Sequence, residues 1–356
     1  MNKTSQMDKE KQALYSRLHL IESDLSIASG SISRARSNIS HVEGSVGTLT
    51  TRLSQVRGRG YEAMAHLEKG VEQLTKTWAD VSPSIKQTFQ NSVEPLTTQV
   101  NSLQAETRGL RSQIDTGNIS YGHITANRLS ATASSLRNRV TSEATKVDDP
   151  LSKLIPTINT IDGDLKIAEN TTELLAQSSF PLKQEESSVL AFEGKIMKGE
   201  KSEGTLYLTN QRFIFEAKKE VVVEKKFFIA TKKRTERTVQ IDQPIGAVEE
   251  ISKGRVGLIA WTGIYVRFKR ESGQQEAQFD VEGWEADATE RFFNYIISGD
   301  ADKDIATIKG TSPITPETPG IQVVYCTHCH APYTREIYKG QKSVQCDYCK
   351  AQIVVQ

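Results

Sequence analysis

The sequence predicts a multidomain chain built in three successive styles. A long α-helical coiled coil comes first, then a small antiparallel β-barrel or split sandwich capped by one C-terminal helix, and last a cysteine-knuckle ribbon. Three observations carry this reading. Apolar residues step by alternating four and three from Leu14 to Val56. Alternating apolar residues flank a polar break in residues 204–215. All four cysteines lie in the last 31 residues as two Cys-x-x-Cys pairs.

The helical series runs through Leu14, Leu18, Ile21, Leu25, Ala28, Ile32, Ala35, Ile39, Val42, Val46, Leu49, Leu53 and Val56. Unbroken heptads with an apolar a/d seam are a coiled-coil signal, and this stretch alone would span about 65 Å at helical rise. The periodicity resumes from Met64 to Val81, from Phe89 to Ile114, from Leu129 to Val140 and from Leu151 to Ala168, which places residues 1–176 in a helical rod or bundle. Pro83, Pro95, Pro150 and Pro156 each favour a helix start or kink, and Gly117-Asn118 and Val147-Asp148-Asp149-Pro150 read as turns. A self-associating rod is the reading adopted, with an intramolecular bundle as the alternative. Gly58-Arg59-Gly60-Tyr61-Glu62-Ala63 matches a dinucleotide fingerprint but follows a helix instead of a strand, so it fails its context.

From about residue 182 the pattern shortens to strands: 189–196, 204–209, 212–217, 227–231, 238–241, 247–251, 258–261, 264–268 and 277–281. Turn signals stand at Lys198-Gly199, Gln243-Pro244, Lys253-Gly254 and Ser272-Gly273. Trp284, Ala288, Phe292, Tyr295 and Ile296 then recur at helical spacing and predict one closing amphipathic helix. Glu193-Gly194, followed by Gly204-Thr205-Leu206-Tyr207-Leu208-Thr209-Asn210-Gln211-Arg212-Phe213-Ile214-Phe215, resembles the GRAM and bacterial pleckstrin-homology-like family over residues 185–298. That resemblance implies a pleckstrin-homology-like (PH-like) domain at 182–299 that binds membrane lipid or protein without catalysis. The departure is that Thr205–Thr209 carries no basic residue, which argues against tight inositol-phosphate recognition.

Charge is balanced, 45 basic against 44 acidic residues, so nucleic-acid binding by counterion release is the weaker class. The exception is local. Residues 218–237 hold eight basic and three acidic residues, with Phe227 and Phe228 between lysine pairs. Lys218, Lys219, Lys225, Lys226, Phe227, Phe228, Lys232, Lys233 and Arg234 are therefore the candidate membrane contacts, set against the plainer reading of ordinary strands with solvated lysines.

Residues 300–320 read as a Pro/Thr tether, and residues 321–356 as a ribbon whose Cys326, Cys329, Cys346 and Cys349 converge on structural zinc. Two knuckles separated by sixteen residues supply four thiolates and leave no open coordination position, so a catalytic metal is not expected. No nucleophile–base pair with local context and no intact phosphate loop is present, so the chain reads as no enzyme. No apolar run is long enough for a membrane span or a signal-peptide core, which points to a cytoplasmic protein, peripheral to the membrane at most. The function expected is an adaptor or scaffold that forms a homo-oligomer through its coiled coil, docks on lipid or protein, and meets a partner through its zinc ribbon. The alternative is a nucleic-acid-associated zinc-ribbon factor dimerised by the coiled coil.

Overall fold

The computed structural model describes residues 3–197, 201–226, 229–257, 261–274, 276–306 and 324–355. Helix α1 runs Lys3–Gly58, α2 His66–Thr88, α3 Glu94–Asp115 and α4 Ile119–Leu175. The chain divides into two compact units, Met1–Thr51 with Gly70–Asp162, and Arg52–Lys69 with Gly163–Gln356.

In the first unit the heptad seam is filled by the chain's own helices. Leu14, Leu18, Ile21 and Leu25 are all at most 1% exposed, and so are Leu129, Ala133 and Val140 of α4. Polar pairs give the directions. α1 meets the returning α2–α3 arm antiparallel, through Glu43 with Lys86 (2.5 Å) and Glu22 with Arg111 (2.7 Å). It meets α4 in parallel, through Asp24 with Arg137 (2.7 Å) and Asn38 with Asp148 (3.0 Å). Of the two readings of the heptads, the intramolecular bundle is the one the structure adopts.

The proline expectations divide. Pro95 lies in the first turn of α3, directly after a π-helical turn at Phe89–Val93, where a missing N–H widens the ladder. Gly117, at φ +80°, makes the expected turn between α3 and α4. Pro83, Pro150 and Pro156 start no helix but lie inside one, and the turn expected at 147–150 does not form. Buried Val147, Leu151, Leu154 and Ile158 hold α4 together across the interruption, outweighing a local cost of about 3 kcal/mol per proline.

In the second unit, seven antiparallel strands are ordered β4-β3-β2-β1-β7-β6-β5. They are β1 Ser188–Ile196, β2 Ser202–Thr209, β3 Arg212–Lys226, β4 Ile229–Pro244, β5 Val248–Val256, β6 Trp261–Phe268 and β7 Glu276–Asp280. Helix α5, Gly283–Ile297, caps them, giving the PH-like architecture. Inward residues alternate as the pattern required: Phe213, Phe215, Phe268 and Phe279 stack at centroid distances of 5.0–6.0 Å, and Ala288, Phe292 and Ile296 of α5 are buried. Trp284 departs from the expected apolar face. It is 49% exposed, and Glu285 is buried in its place as half of a capping box with Glu282. Lys253-Gly254 is no turn but part of β5, because the Tyr265 ring lies where a Cβ on Gly254 would sit, 2.7 Å away.

The opposite face of β1–β3 is also covered. Ala191, Tyr207 and Ile214 pack on Leu174 and Phe180 from the end of α4 and the strap after it. The edge of β1 is closed by side chains: Thr171 Oγ1 accepts from Ala191 N, Asn170 donates to Ala191 O, and Tyr61 Oη donates to Val189 O (2.9, 2.9 and 2.8 Å).

The polar break between β2 and β3 is a structural knot. Arg212, with a side chain 5% exposed, donates to both Glu186 carboxylate oxygens at 2.7 Å, to Asp242 at 2.9 Å and to Pro181 O at 3.0 Å, and it stacks on Phe180. Glu186 also accepts from the Thr209 hydroxyl and the Lys183 N–H (2.6 and 2.7 Å). Burial opposes its ionisation, yet these donors hold its carboxyl below the usual range. Asn210 accepts from Ser187 N at 2.8 Å, which ties down the same strap.

Residues 300–306, expected in the tether, are ordered. A short helix α6, Asp300–Lys303, is followed by Ile305, which pairs with Ala63, and by Ala306 N donating to Glu62 O at 2.7 Å. Residues 307–320 of that tether lie outside the described residues. Replacing Leu25 by Asp places an unpaired charge in the filled seam of the helical unit. The expected outcome is loss of helicity by far-UV circular dichroism in the single chain. A helical Leu25→Asp protein that merely loses an oligomer would contradict the intramolecular seam.

Candidate metal centre and binding surfaces

The C-terminal ribbon folds as two copies of one turn. Cys326 N donates to Ala331 O and His330 N to Cys326 O (2.9 and 2.8 Å). In the second knuckle Cys346 N donates to Ala351 O and Lys350 N to Cys346 O (2.8 and 3.0 Å). The residue after each knuckle is left-handed, His330 at φ +59° and Lys350 at φ +62°. Strands β8 (Ser343–Gln345) and β9 (Gln352–Val354) pair beside them over a core of Val344, Ile353 and Val355.

The four Sγ atoms lie within 4.8 Å of one another. Cys326 and Cys349 are 3.5 Å apart, and Cys329 and Cys346 3.6 Å. Tetrahedral thiolates at about 2.3 Å from one ion stand about 3.8 Å apart, so the cluster fits a single tetrahedral metal ion. It does not fit disulfides, whose sulfurs sit at about 2.05 Å. The backbone N–H of Cys329 lowers the Cys326 thiol and that of Cys349 lowers Cys346, whereas the neighbouring sulfurs raise Cys349, as expected of four thiols crowded together. His328 and His330, which flank Cys329 in the first knuckle, are exposed and stand outside this set.

The basic stretch takes a form that the strand pattern did not foresee. β2 pairs with β3 only as far as Ala217, whereas β3 and β4 go on pairing from Lys218 with Arg237 to Lys226 with Ile229. The two strands expected separately at 227–231 and 238–241 are one strand, and nine residues of β3 extend past β2 as a two-stranded ribbon. Lys219 is exposed beside Glu236 in register. Lys225, Lys226, Lys232, Lys233 and Arg234 are placed on the extension by backbone register. Phe227 and Phe228 lie outside the described residues. Two basic residues serve the fold instead: Lys218 is ion-paired with Glu193, and Arg237 with the fully buried Glu216 at 3.1 Å.

A second ionisable cluster has no motif in the sequence and forms around His66. His66 Nδ1 is paired with Asp304, and its Nε2 lies 3.8 Å from Asp164, which Arg291 also contacts at 2.7 Å. Tyr295 Oη donates to Asp304 at 2.5 Å. The partners are 98 and 238 positions away in sequence, so no local signal existed. The carboxylates of Asp164 and Asp304 raise His66 from 6.5 to about 8, against its partial burial. Burial opposes ionisation of both aspartates, but His66 with Arg291, and His66 with Tyr295, keep them below their ordinary values. A raised histidine stabilises fully below its unfolded value and loses that contribution as pH rises through its folded one. The protection factors of the amides in residues 62–66 and 304–306, with the intrinsic base-catalysed rise divided out, are therefore expected to fall between pH 6.5 and about 8.5, and His66→Gln to abolish that pH step. A step of the same size in His66→Gln would contradict this assignment.

No helix among the described residues is long and apolar enough to cross a membrane. No family model and no curated protein matches the chain. Among solved structures, the chain is similar to one titled "Vps36 N-terminal PH domain", at 15% identity and TM-score 0.22, over 33% of this chain and 86% of that one. It is also similar to one titled "Autoinhibited Vav1", at 11% identity and TM-score 0.24, over 99% of this chain and 70% of that one. The PH-like architecture rests on the strand order and capping helix of this chain itself.

Proposed function

We propose that this chain is a non-enzymatic adaptor of the GRAM-like branch of PH-like domains, which docks on an anionic, cytoplasm-facing membrane surface through the β3–β4 extension. One observation carries the reading. The locally basic stretch is borne on a ribbon that runs nine residues past the rest of the sheet, with Phe227-Phe228 between its two strands in sequence. Ribbons that leave a sheet gain no core burial from doing so, and their charge is available to a partner.

The magnitude is modest. Counted by sequence, residues 218–237 carry eight basic and three acidic residues, and discounting Lys218 and Arg237, which are ion-paired within the fold, gives a formal charge of +3. A net of three positive charges contributes about 3 kcal/mol at an anionic surface, so insertion of the two phenylalanines is needed for durable attachment.

The four-cysteine cluster supports structural zinc. An S4 set with short thiol separations, no further ligand among the described residues and a core of only a few apolar residues is the composition of a site whose metal supplies folding free energy. The ribbon then serves as a partner-contact module, with Tyr325 and Tyr348 exposed. The homo-oligomer expected from the heptads would have to form on surfaces other than the filled seam, and membrane docking does not require it.

Co-sedimentation with phosphatidylserine vesicles at low salt tests the central part. Wild type is expected to sediment, and the Lys232→Glu/Lys233→Glu/Arg234→Glu variant to stay in the supernatant. A wild type that fails to sediment, or a variant that sediments equally, would overturn it. Retention of duplex nucleic acid on filters with a steep salt dependence would favour the nucleic-acid reading instead.

A further inference from the structure

The sixteen residues between the two knuckles make a loop, and that loop is seated on the PH-like domain. At its tip Gln341 N donates to Tyr338 O at 2.9 Å, and Gly340 takes φ +86°. Gly340 lies so close to the β2–β3 turn that a Cβ there would stand 1.8 Å from Gln211 O. On the other side Gly246 N donates to Lys339 O at 3.1 Å, and a Cβ on Gly246 would stand 2.5 Å from Lys339 N. A glycine on each side of the contact, Gly340 against Gln211 and Gly246 against Lys339, lets the backbones approach as side chains would not.

Lys339 closes the seat. Its Nζ donates to Ile296 O at 2.6 Å and is paired with Asp302 at 2.7 Å. The last turn of α5 has no basic residue of its own, so this ammonium supplies the cation that the carbonyl end of the helix favours. Flanking contacts widen the attachment. Lys342 Nζ donates to Gln184 O at 2.5 Å, and Glu336 pairs with Lys269 at 2.6 Å, whose ammonium also sits 4.7 Å from the centre of the Tyr338 ring.

We infer that the ribbon is a metal-held intramolecular clasp. The loop of residues 338–342 docks on the seat formed by Gln211, Gly246, Ile296 and Asp302 while the four cysteines are drawn together. Loss of the metal, by a thiol-reactive oxidant or a chelator, releases it. The physical reason is entropic. The loop is gripped at both ends by the knuckles, and without them a long segment must be ordered against a seat that offers two backbone contacts and a few ion pairs. Release uncovers a seat with an acidic group, a helix-end carbonyl and a glycine-floored cleft, which is complementary to a lysine-glycine turn. The clasp rests on the zinc reading, and the test separates the two.

Hydrogen exchange on the full chain reads the Gly246 amide and the Asn294–Gly299 segment, with the amides shared by β1 and β2 as an internal reference. Metal content per chain is measured in parallel. In wild type, chelation is expected to speed exchange at Gly246 about tenfold while leaving the β1–β2 amides unchanged. Gly340→Val, whose side chain meets Gln211, is expected to show the same acceleration with its metal retained, and chelating it further is expected to add nothing at Gly246. Lys339→Met leaves the backbone contact possible, so its acceleration should fall mainly on 294–299. A purified wild type without metal overturns the zinc reading and, with it, the metal-held part of the clasp. Metal-loaded wild type that keeps Gly246 protected after chelation overturns the clasp alone. So does Gly340→Val that retains both metal and protection.

Discussion

The β unit depends on the buried pair Arg212–Glu186. Two opposite charges, 5% and 0% exposed at their side chains, are removed from water at a cost that their mutual attraction offsets only if every remaining donor and acceptor is also satisfied. Here it is. The guanidinium reaches both oxygens of Glu186, Asp242 and Pro181 O, and rests on Phe180, while Glu186 takes further donors from Thr209 and Lys183. The pair fastens the strap after α4 to the β2–β3 turn and to β4. Other contacts follow from that turn: Ile245 N donates to Gln211 O at 2.8 Å, Asn210 reaches Asp302 at 3.2 Å, and Gly340 packs on Gln211.

The two ends of β3 consequently differ in kind. Its Arg212 end is saturated with intramolecular partners, and the ribbon module sits there. About 45 Å further along, at strand rise, its Lys226 end belongs to a two-stranded ribbon that, among the described residues, no other strand pairs with. The Thr-Asn-x-Arg motif that marks the fold in sequence therefore spends its polar groups internally. The locally basic stretch that the sequence marks lies beyond Ala217, on the part of β3 that β2 does not pair with.

How much was legible follows from the range of each interaction. The a/d series of α1, the alternation in β2 and β3, and the Cys-x-x-Cys spacing are local patterns, and each predicted its element. Which helices fill the seam was not local: the same heptads serve an oligomer or a bundle, and Glu22, Asp24 and Glu43 find partners 43 to 113 positions away. The turn expected at 147–150 does not form because burial of Val147 and Leu151 outweighs the backbone donor that Pro150 lacks. Lys253-Gly254 misled because an aromatic ring across the strand, and not a turn, calls for that glycine. His66, Asp164 and Asp304, like Lys339 and Ile296, are brought together only by the folded chain.

A double-mutant cycle on Glu186→Gln and Arg212→Met, read by urea unfolding of the β unit through tryptophan fluorescence, tests the knot most directly. Each single change is expected to cost about 3–5 kcal/mol, because it strands a buried charge. The pair together should cost less than the sum by about 2 kcal/mol or more. Strictly additive losses, or single changes near zero, would contradict the dependence of the sheet on this one interaction.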